Sequence, residues 1–132
     1  MASFLFREHK YRPKTTSPGA KLDVRGYINS SNIWSTYYVV NSTSAERLTG
    51  PDGSNLDGFM GLISAGVAGT SGRPAVVYLA SYDSNDDCYV IELGRTLSSS
   101  RLPIIFCETD NSLRLRIGHS STYSVNVTFI SN

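Results

Sequence analysis

The chain has 132 residues, of which 40% are hydrophobic and 17% are charged, and its formal net charge is +1. This length suits one domain with a real hydrophobic core. The near balance of charge argues against a general nucleic-acid binder, which usually carries a basic excess. The eight Tyr and five Phe argue against a disordered chain.

No stretch approaches the roughly 20 consecutive apolar residues that a membrane-spanning helix needs. The first residues, Met1 to Arg7, do not form a leader peptide, because their apolar run is short and is followed by charge. We therefore expect neither export by a standard leader nor insertion into a membrane.

Residues 1–20 differ from the rest of the chain, because basic residues and prolines crowd together there. We predict that residues 1–20 form a basic, proline-containing N-terminal arm or linker, or a disordered terminus. Residues 21–132 are then a single β-sandwich domain. The residues that set the arm apart are Arg7, Lys10, Arg12, Pro13, Lys14 and Pro18.

From Lys21 onward, apolar and polar residues alternate with the period of two that is typical of strands. Gly-, Pro-, Asn- and Asp-rich turn signals separate the runs, and no amphipathic helix of useful length appears. The pattern predicts an all-β, antiparallel, jelly-roll-like β-sandwich of about seven or eight strands, with no substantial helix. The predicted strands cover residues 22–28, 36–40, 59–63, 75–82, 89–93, 104–107, 113–117 and 123–129.

The last two of these strands have the clearest alternation. Leu113 and Leu115 share one face, Arg114 and Arg116 share the other, and the same alternation returns in residues 123–129. We predict that the two strands pair as an antiparallel hairpin with one dry face and one solvated face.

Two cysteines, Cys88 and Cys107, lie inside apolar runs. The favoured interpretation is two buried free thiols that act as small hydrophobic groups, and a disulfide is the alternative. Two cysteines alone do not make a structural zinc site, which needs about four ligands.

The residue types that usually carry catalysis are sparse. His119 lies in a predicted turn, and the strained elbow that exposes a nucleophilic serine is absent. Glu92 and Glu108 lie in or beside strands, but nothing in their spacing places them on opposite sides of a sugar, as a glycosidase requires. We predict no catalytic residues and expect that the protein is not an enzyme.

An acidic segment resembles the start of a calcium-binding loop, with Asp83, Asn85 and Asp87 at alternate positions. Such a loop then needs Gly at position 88 and Glu at position 94, where this chain has Cys88 and Gly94. The segment therefore predicts an acidic hairpin turn, and we predict no metal site and no cofactor.

Aromatic and polar residues stand together around Trp34, beside Tyr37 and Tyr38. Sugar recognition uses this mixture, because a flat ring packs on C–H faces while amides and hydroxyls bind OH groups. The same mixture suits a subunit interface or, for Trp34 and one Tyr, the core. We predict ligand contacts at Trp34, Tyr37 and Tyr38 and, in the glycine-rich loops of residues 50–72, at Asn55 and Asp57.

A second predicted surface lies on the solvated face of the last strands. Arg114 and Arg116 form a basic stripe there, which in an oligomer would pair with acidic residues of a neighbouring copy. We predict a subunit interface at Arg114, Arg116 and Tyr123.

Taken as a whole, the chain resembles the distal receptor-binding domain of a bacteriophage tail fibre, tailspike or tail needle. A basic linker, Lys10 to Lys14, leads to a strand at Lys21 to Ile28; the middle is rich in Gly, Ser and Asn; and a strong strand, Tyr123 to Ile130, closes the chain. The resemblance covers roughly residues 20–132 and contains no shared motif from which binding residues can be transferred.

The resemblance implies a homotrimeric β-sandwich of the virion, made in the host cytoplasm, that binds a host cell-surface glycan or receptor protein. The N-terminal arm would join it to the rest of the fibre or virion. The favoured function is therefore a non-catalytic viral attachment module, with no nucleic-acid partner. The alternatives are a structural capsid or decoration protein, a pilus-like adhesin subunit, and a polysaccharide hydrolase that uses Glu92 or Glu108.

Overall fold

The computed structural model describes residues 32–69, 73–83, 85 and 87–131. These residues form eight β-strands in two antiparallel sheets and contain no helix, so none of them belongs to a helix that could cross a membrane. The predicted all-β fold is confirmed. The strands are β1 (Ile33–Val40), β2 (Glu46–Arg47), β3 (Met60–Val67), β4 (Ala75–Asp83), β5 (Asp87–Arg95), β6 (Ile104–Cys107), β7 (Leu113–Arg116) and β8 (Tyr123–Ser131).

The two sheets are unequal in size. The large sheet has five strands in the order β1-β8-β3-β4-β5, and the small sheet has three in the order β2-β7-β6. Strands β1, β8 and β3 are neighbours in one sheet while β2 and β7 are neighbours in the other, as in a jelly roll. The β4–β5 hairpin widens the large sheet beyond the small one. The predicted arm and the predicted strand 22–28 lie outside the described residues.

A shared core fills the space between the sheets, because each strand turns alternate residues toward it. In β8 these residues are Val125, Val127 and Phe129, and in β7 they are Leu113 and Leu115. All five side chains are at most 1% exposed. The period-two alternation thus identified the buried face of these strands correctly.

The prediction that residues 113–117 and 123–129 form a hairpin is wrong. Strand β7 pairs with β2 and β6 in the small sheet, whereas β8 lies between β1 and β3 in the large sheet. Both strands do present an apolar face to the same core, but from opposite sides of it. Residues 117–122 therefore cross from one sheet to the other.

Strand boundaries differ in places from the sequence prediction. β1 begins at Ile33 rather than at residue 36, and the two-residue strand β2 was not predicted. Ser and Asn around residues 30–35 resemble turn residues, but pairing of β1 with β8 along its whole length extends the strand.

The favoured interpretation of the cysteines is also wrong, because Cys88 and Cys107 form a disulfide, with their Cα atoms 5.9 Å apart. Cys88 lies on β5, an edge strand of the large sheet, and Cys107 lies on β6, an edge strand of the small sheet. The bond therefore links the two sheets along one side of the sandwich.

Two tyrosine hydroxyls of β4 add hydrogen bonds between the layers. The hydroxyl of Tyr78 donates to the carbonyl of Pro103, 3.1 Å away, and that of Tyr82 donates to the carbonyl of Asn111, 3.0 Å away. Burial raises the pKa of Tyr78, so this hydroxyl keeps its proton and remains a donor.

Candidate functional site

A depression at one end of the sandwich brings together Trp34, Asn55 and Asp57, three of the five predicted ligand-contact residues. Trp34 comes from the start of β1, whereas Asn55 and Asp57 come from the loop between β2 and β3. The remaining residues around the depression are Gly50, Pro51, Leu56, Gly58, Phe59 and Ser131.

Trp34 forms part of the depression and also packs on the core. Its indole stacks on Phe129, with ring centroids 4.8 Å apart and planes 11° from parallel, and it meets Phe59 edge to face at 6.0 Å. Its Nε1–H is buried and makes no hydrogen bond to any described residue. Trp34 can therefore pack on the core and also contact a ligand, although the sequence offered these two roles as alternatives.

The loop before β3 holds two polar side chains at the rim. Leu56 is 5% exposed and anchors the loop in the core, so Asn55 and Asp57 on either side of it project toward solvent. The Oδ1 atom of Asn55 accepts a hydrogen bond from the Asp57 backbone N–H at 2.8 Å. Gly58 follows with a φ of 85°, which only glycine adopts readily, and this turns the chain into β3.

Two further hydrogen bonds fix the outer part of the same loop. The backbone N–H of Ser54 donates to Oδ1 of Asp52 at 3.1 Å, and the N–H of Gly50 donates to the carbonyl of Ser54 at 2.8 Å. The hydrogen bonds from Ser54 lower the pKa of Asp52, so this carboxylate stays ionised beside the depression. The loop is thus held by its own polar groups.

This arrangement combines an aromatic floor with an amide and a carboxylate at the rim. An aromatic ring can pack on the apolar face of a sugar, while an amide and a carboxylate can bind its hydroxyl groups. The depression therefore has the chemistry needed to bind a polar, uncharged ligand with flat apolar faces.

The structure places Tyr37 and Tyr38 away from this set. Tyr37 lies on the outer face of the large sheet and is 65% exposed. Tyr38 faces inward and is half-buried, and its hydroxyl oxygen accepts a hydrogen bond from the backbone N–H of Thr49 at 3.2 Å. Neither residue lines the depression, and ligand contact at these two positions stays a prediction.

The predicted subunit-interface residues do not share one surface. Arg114 and Arg116 lie on the outer face of the small sheet, where Arg114 bonds to Ser112 at 2.9 Å and the Arg116 guanidinium lies 5.5 Å from the centre of the Phe106 ring. Tyr123 lies on the inward face of β8 and packs against the core. Its ring meets His119 edge to face at 5.4 Å.

The outer face of the large sheet is a second candidate surface, and the sequence analysis did not identify it. Strand register places one apolar residue of each strand in a continuous row across this face, and each is between 36% and 59% exposed. Of the eleven large hydrophobic residues that are exposed in the described part, all but Leu97 lie on this face. The row consists of Ile33, Ile130, Leu62, Leu79 and Ile91.

The carboxylates weighed for catalysis are engaged in local structure. Both oxygens of Glu92 accept hydrogen bonds from Arg95 at 2.6 Å, and this hydrogen bonding lowers the pKa of Glu92. Glu108 begins a tight turn, in which its backbone N–H donates to the Ser112 carbonyl. Nδ1 of His119 accepts the backbone N–H of Ser121, also within a turn.

The acidic segment between β4 and β5 forms a hairpin turn, as the sequence predicts. Oδ1 of Asp83 accepts the backbone N–H of Asn85 at 2.9 Å, and Asp83 pairs with Asp87 across the hairpin. Within the described ranges, no three His, Cys, Asp or Glu side chains are grouped as a metal site would need.

Comparison with known proteins identifies no family. No family model matches the chain, and no curated protein matches it in sequence. Its fold is similar to part of the crystal structure of the Acinetobacter phage vB_ApiP_P1 tailspike protein, with a TM-score of 0.45 and 12% sequence identity. The match covers 92% of this chain and 25% of that chain, so this chain spans about a quarter of the tailspike's length. A similarity of this size assigns no function.

Proposed function

We propose that the chain is a non-catalytic viral attachment module: a homotrimeric fibre-tip domain of the virion that binds a host cell-surface glycan or protein. The observation that carries the proposal is the convergence of Trp34, Asn55 and Asp57 on one depression. A glycan is the ligand that this chemistry favours, because the depression offers a ring surface and hydroxyl-binding groups side by side.

A homotrimer carries three copies of this site, which matters because each copy binds weakly. One shallow site with few polar groups binds a sugar weakly, because most of the free energy of its contacts is offset by the entropy and desolvation costs of association. Three such sites on one fibre tip bind a glycan-coated surface together, which raises the apparent affinity by a factor of about 10² to 10⁴ without any new contact.

The state of Glu92 supports a non-catalytic role. A general acid in glycoside hydrolysis needs a raised pKa, so that it holds its proton at working pH. Arg95 lowers the pKa of Glu92 instead, because its guanidinium donates to both carboxylate oxygens. A carboxylate held in this way stabilises the end of β5 and is a poorer general acid than a free one.

The proposal is tested by binding of the fluorescently labelled full chain to an array of bacterial surface glycans. Asp57→Asn removes the rim carboxylate, and we expect an affinity about 10-fold to 100-fold lower, because hydrogen bonds to charged groups contribute about 1.5–3 kcal/mol. Asp87→Asn is the matched control, since Asp87 is an exposed aspartate outside the depression. Thermal unfolding of each variant verifies that the loop still folds.

Two results would contradict the proposal. One is that the wild-type chain binds no glycan and no host surface protein on intact cells. The other is that binding survives unchanged in an Asn55→Ala, Asp57→Asn double variant that remains folded.

A second candidate function is a structural virion protein, such as a capsid or decoration subunit, and the apolar outer face of the large sheet favours it. A chain that assembles into a shell needs large contact surfaces more than it needs a ligand site. Deletion of residues 1–20 separates the two functions. The deletion blocks assembly and spares folding in a structural protein, whereas it leaves ligand binding intact in an attachment module.

A third candidate function is a pilus-like adhesin subunit, which the Cys88–Cys107 disulfide favours because such bonds persist in oxidising compartments. Isolation of the protein from its source organism decides between the two locations. An adhesin is recovered from the cell envelope with the bond intact, whereas an attachment module is recovered from purified virus particles.

A further inference from the structure

We infer that the outer face of the large sheet is the surface on which copies of this chain pack against one another. The inference rests on the proposed trimeric module and identifies the surface that holds the trimer together. It differs from the sequence prediction, which placed the interface at Arg114, Arg116 and Tyr123.

One row of large apolar side chains crosses the face from edge to edge, and smaller, mostly uncharged residues lie on either side of it. The row of Ile33, Ile130, Leu62, Leu79 and Ile91 crosses all five strands, one residue from each. At one end of the row Ile33 is 48% exposed and at the other Ile91 is 59% exposed. Monomeric proteins rarely leave a contiguous apolar surface of this kind in water.

Charge is nearly absent from the same face. The strand residues that point outward from β1, β8 and β3 carry no charge: they are aliphatic, aromatic, hydroxyl-bearing, amide or glycine, with one thioether at Met60. Among the described strand residues, charge meets this face at its two ends: Asp83 and Asp87 at the hairpin end of β4 and β5, and Arg95 beside the indentation at the opposite end. Solvated sheet faces normally present charged and polar residues, so a face with this many large apolar side chains and so few charges is unusual for a surface in water.

The size of the face is sufficient for a stable contact. Five strands spaced about 4.8 Å apart, each with about eight residues at about 3.3 Å, cover about 600 Å². Three such faces packed around one axis remove about 1,800 Å² from solvent in the whole trimer, which lies within the range of about 1,200–2,000 Å² that specific assemblies bury.

The shape of the face, with a row of large side chains beside a row of smaller ones, is complementary to a second copy of the same sheet. Beside the bulky row lies a parallel row of mostly small residues, and a shallow indentation opens there between Ser64, Val77 and Gly94. A ridge of leucine and isoleucine side chains from one copy can enter this low strip of another, as side chains interdigitate between packed sheets about 10 Å apart. The small row consists of Ser35, Thr128, Ser64, Val77 and Gly94.

Other occupants fit the face less well. A partner helix needs a groove, whereas this surface is a broad sheet. A membrane surface selects apolar residues bordered by several Lys or Arg, whereas the described border of this face carries Asp83 and Asp87 at one end and Arg95, paired with Glu92, at the other. A second copy of the chain supplies a sheet of the same dimensions, with few charges and with a ridge and a low strip that fit its own kind.

The outer face of the small sheet differs in each of these respects. Its charged residues are already paired within the chain, since Asp110 forms ion pairs with Arg47 at 3.7 Å and with Arg114 at 3.4 Å. These two arginines and Arg116 make that face hydrophilic. It is therefore the face that remains in solvent when the large sheets pack together.

The test measures the mass of the full-length chain in solution by size-exclusion chromatography with multi-angle light scattering. We expect the wild-type chain at three times its 14.4 kDa. Leu79→Glu puts a charge in the middle of the face and should reduce the mass to that of one chain. Leu97→Glu is the matched control, because Leu97 is 38% exposed, close to the 42% of Leu79, but lies outside the strands.

Labelling of the wild-type chain provides an answer even if Leu79→Glu does not fold. Tyr37 and Tyr89 are both 65% exposed in a single chain, so hydroxyl-radical footprinting should modify them strongly unless another copy covers them. We expect strong protection of both at high protein concentration and loss of protection on dilution into monomers. Full labelling of both in an oligomer overturns the inference.

Other outcomes also overturn it. A wild-type chain that stays at 14.4 kDa at every concentration has no such interface, and if Tyr37 and Tyr89 are then protected, residues 1–31 of the same chain cover the face. A folded Leu79→Glu variant that keeps the wild-type mass places the interface elsewhere. The glycan assay separates the two proposals, because a trimer that binds no glycan refutes glycan attachment and leaves the interface standing. A monomer that binds glycan refutes the interface and the trimeric state, and leaves glycan attachment standing.

Discussion

Removal of the disulfide should cost this protein about 3 kcal/mol of stability. Cys88 and Cys107 are 19 residues apart in sequence, and in the chain-entropy model a crosslink that closes a loop of this length restricts the unfolded state by about 3 kcal/mol. The variant is the double substitution Cys88→Ala, Cys107→Ala. For a chain of this size, we expect the Tm to fall by about 10–15 °C.

Urea unfolding followed by tryptophan fluorescence measures this change directly. The chain has a single Trp, and because Trp34 stacks on Phe129 its emission shifts when the core opens. We expect the midpoint to fall by about 2 M at a typical slope of about 1.5 kcal/mol per M. Protein concentration is kept equal between samples, because assembly would otherwise contribute to the apparent stability.

The location of the bond predicts where the loss of stability appears first. Among the described strands, β5 pairs with β4 alone, so Cys88–Cys107 is the covalent link that ties this edge to the small sheet. Amide exchange should therefore quicken in β5 and β6 before it changes in β8. Equal midpoints for wild type and variant would refute the reasoning, as would alkylation of two free thiols in the purified native protein.

Two further substitutions test particular contacts. Gly61→Ala should destabilise the fold by about 1–3 kcal/mol, because a methyl group there would overlap the carbonyl oxygen of Ile130. Gly94→Ala, with no atom beyond its chain neighbours within 4 Å of the added methyl, should change stability by less than about 0.5 kcal/mol. Both variants are compared by thermal unfolding at a concentration where the chain is a monomer, because Gly94 lies in the small row of the outer face. Similar losses in both would exclude this explanation. NMR titration should place the pKa of Glu92 below 4.5, and Arg95→Gln should return it toward that value. Because folding lowers the pKa of Glu92, the ion pair stabilises the fold at pH values above the unfolded-state pKa, and this stabilisation is lost as the pH falls through the folded-state pKa. A difference in stability between Arg95→Gln and wild type that persists below the folded-state pKa would contradict this explanation.

The sequence predicted which side of the strands at 113–117 and 123–129 is buried, but not which strands are partners. Alternation in residues 113–117 and 123–129 depends only on burial, and both strands do bury their apolar residues. Pairing depends on the path of residues 117–122, which carry no signal that separates a tight turn from a crossing between sheets. The same limit applies to Cys88 and Cys107, whose proximity arises from two sheet edges that meet only in the folded protein.

The candidate ligand site was predicted in part. Trp34 was predicted from the aromatic and polar residues beside it, and Asn55 and Asp57 were predicted separately from the glycine-rich loops; the fold brings these three residues together, and their contact with a ligand stays a prediction. Tyr37 and Tyr38 could not both belong to the same site, because consecutive residues of a strand point to opposite faces of the sheet. This rule was available from the sequence once residues 36–40 were assigned to a strand.

The outer face of the large sheet also left a signal in the sequence. Residues 75–82 and 89–93 contain apolar side chains at nearly every position, and strands of this composition are usually covered on both faces. The run at 75–82 forms β4, which lies between β3 and β5 in the large sheet. Its apolar residues on the second, outer face therefore indicate that something covers that face as well.

The pairing of Ile33 with Ile130 places the first and last strands of the described sandwich side by side, and neighbouring antiparallel residues lie only about 4.5–5.5 Å apart. The two ends of the described sandwich are therefore close enough to be inserted into one surface loop of a host protein without stretching either chain. By the same geometry, a short linker between residues 131 and 32 and a new opening in residues 41–45 would give a circular permutant with the same sheet order.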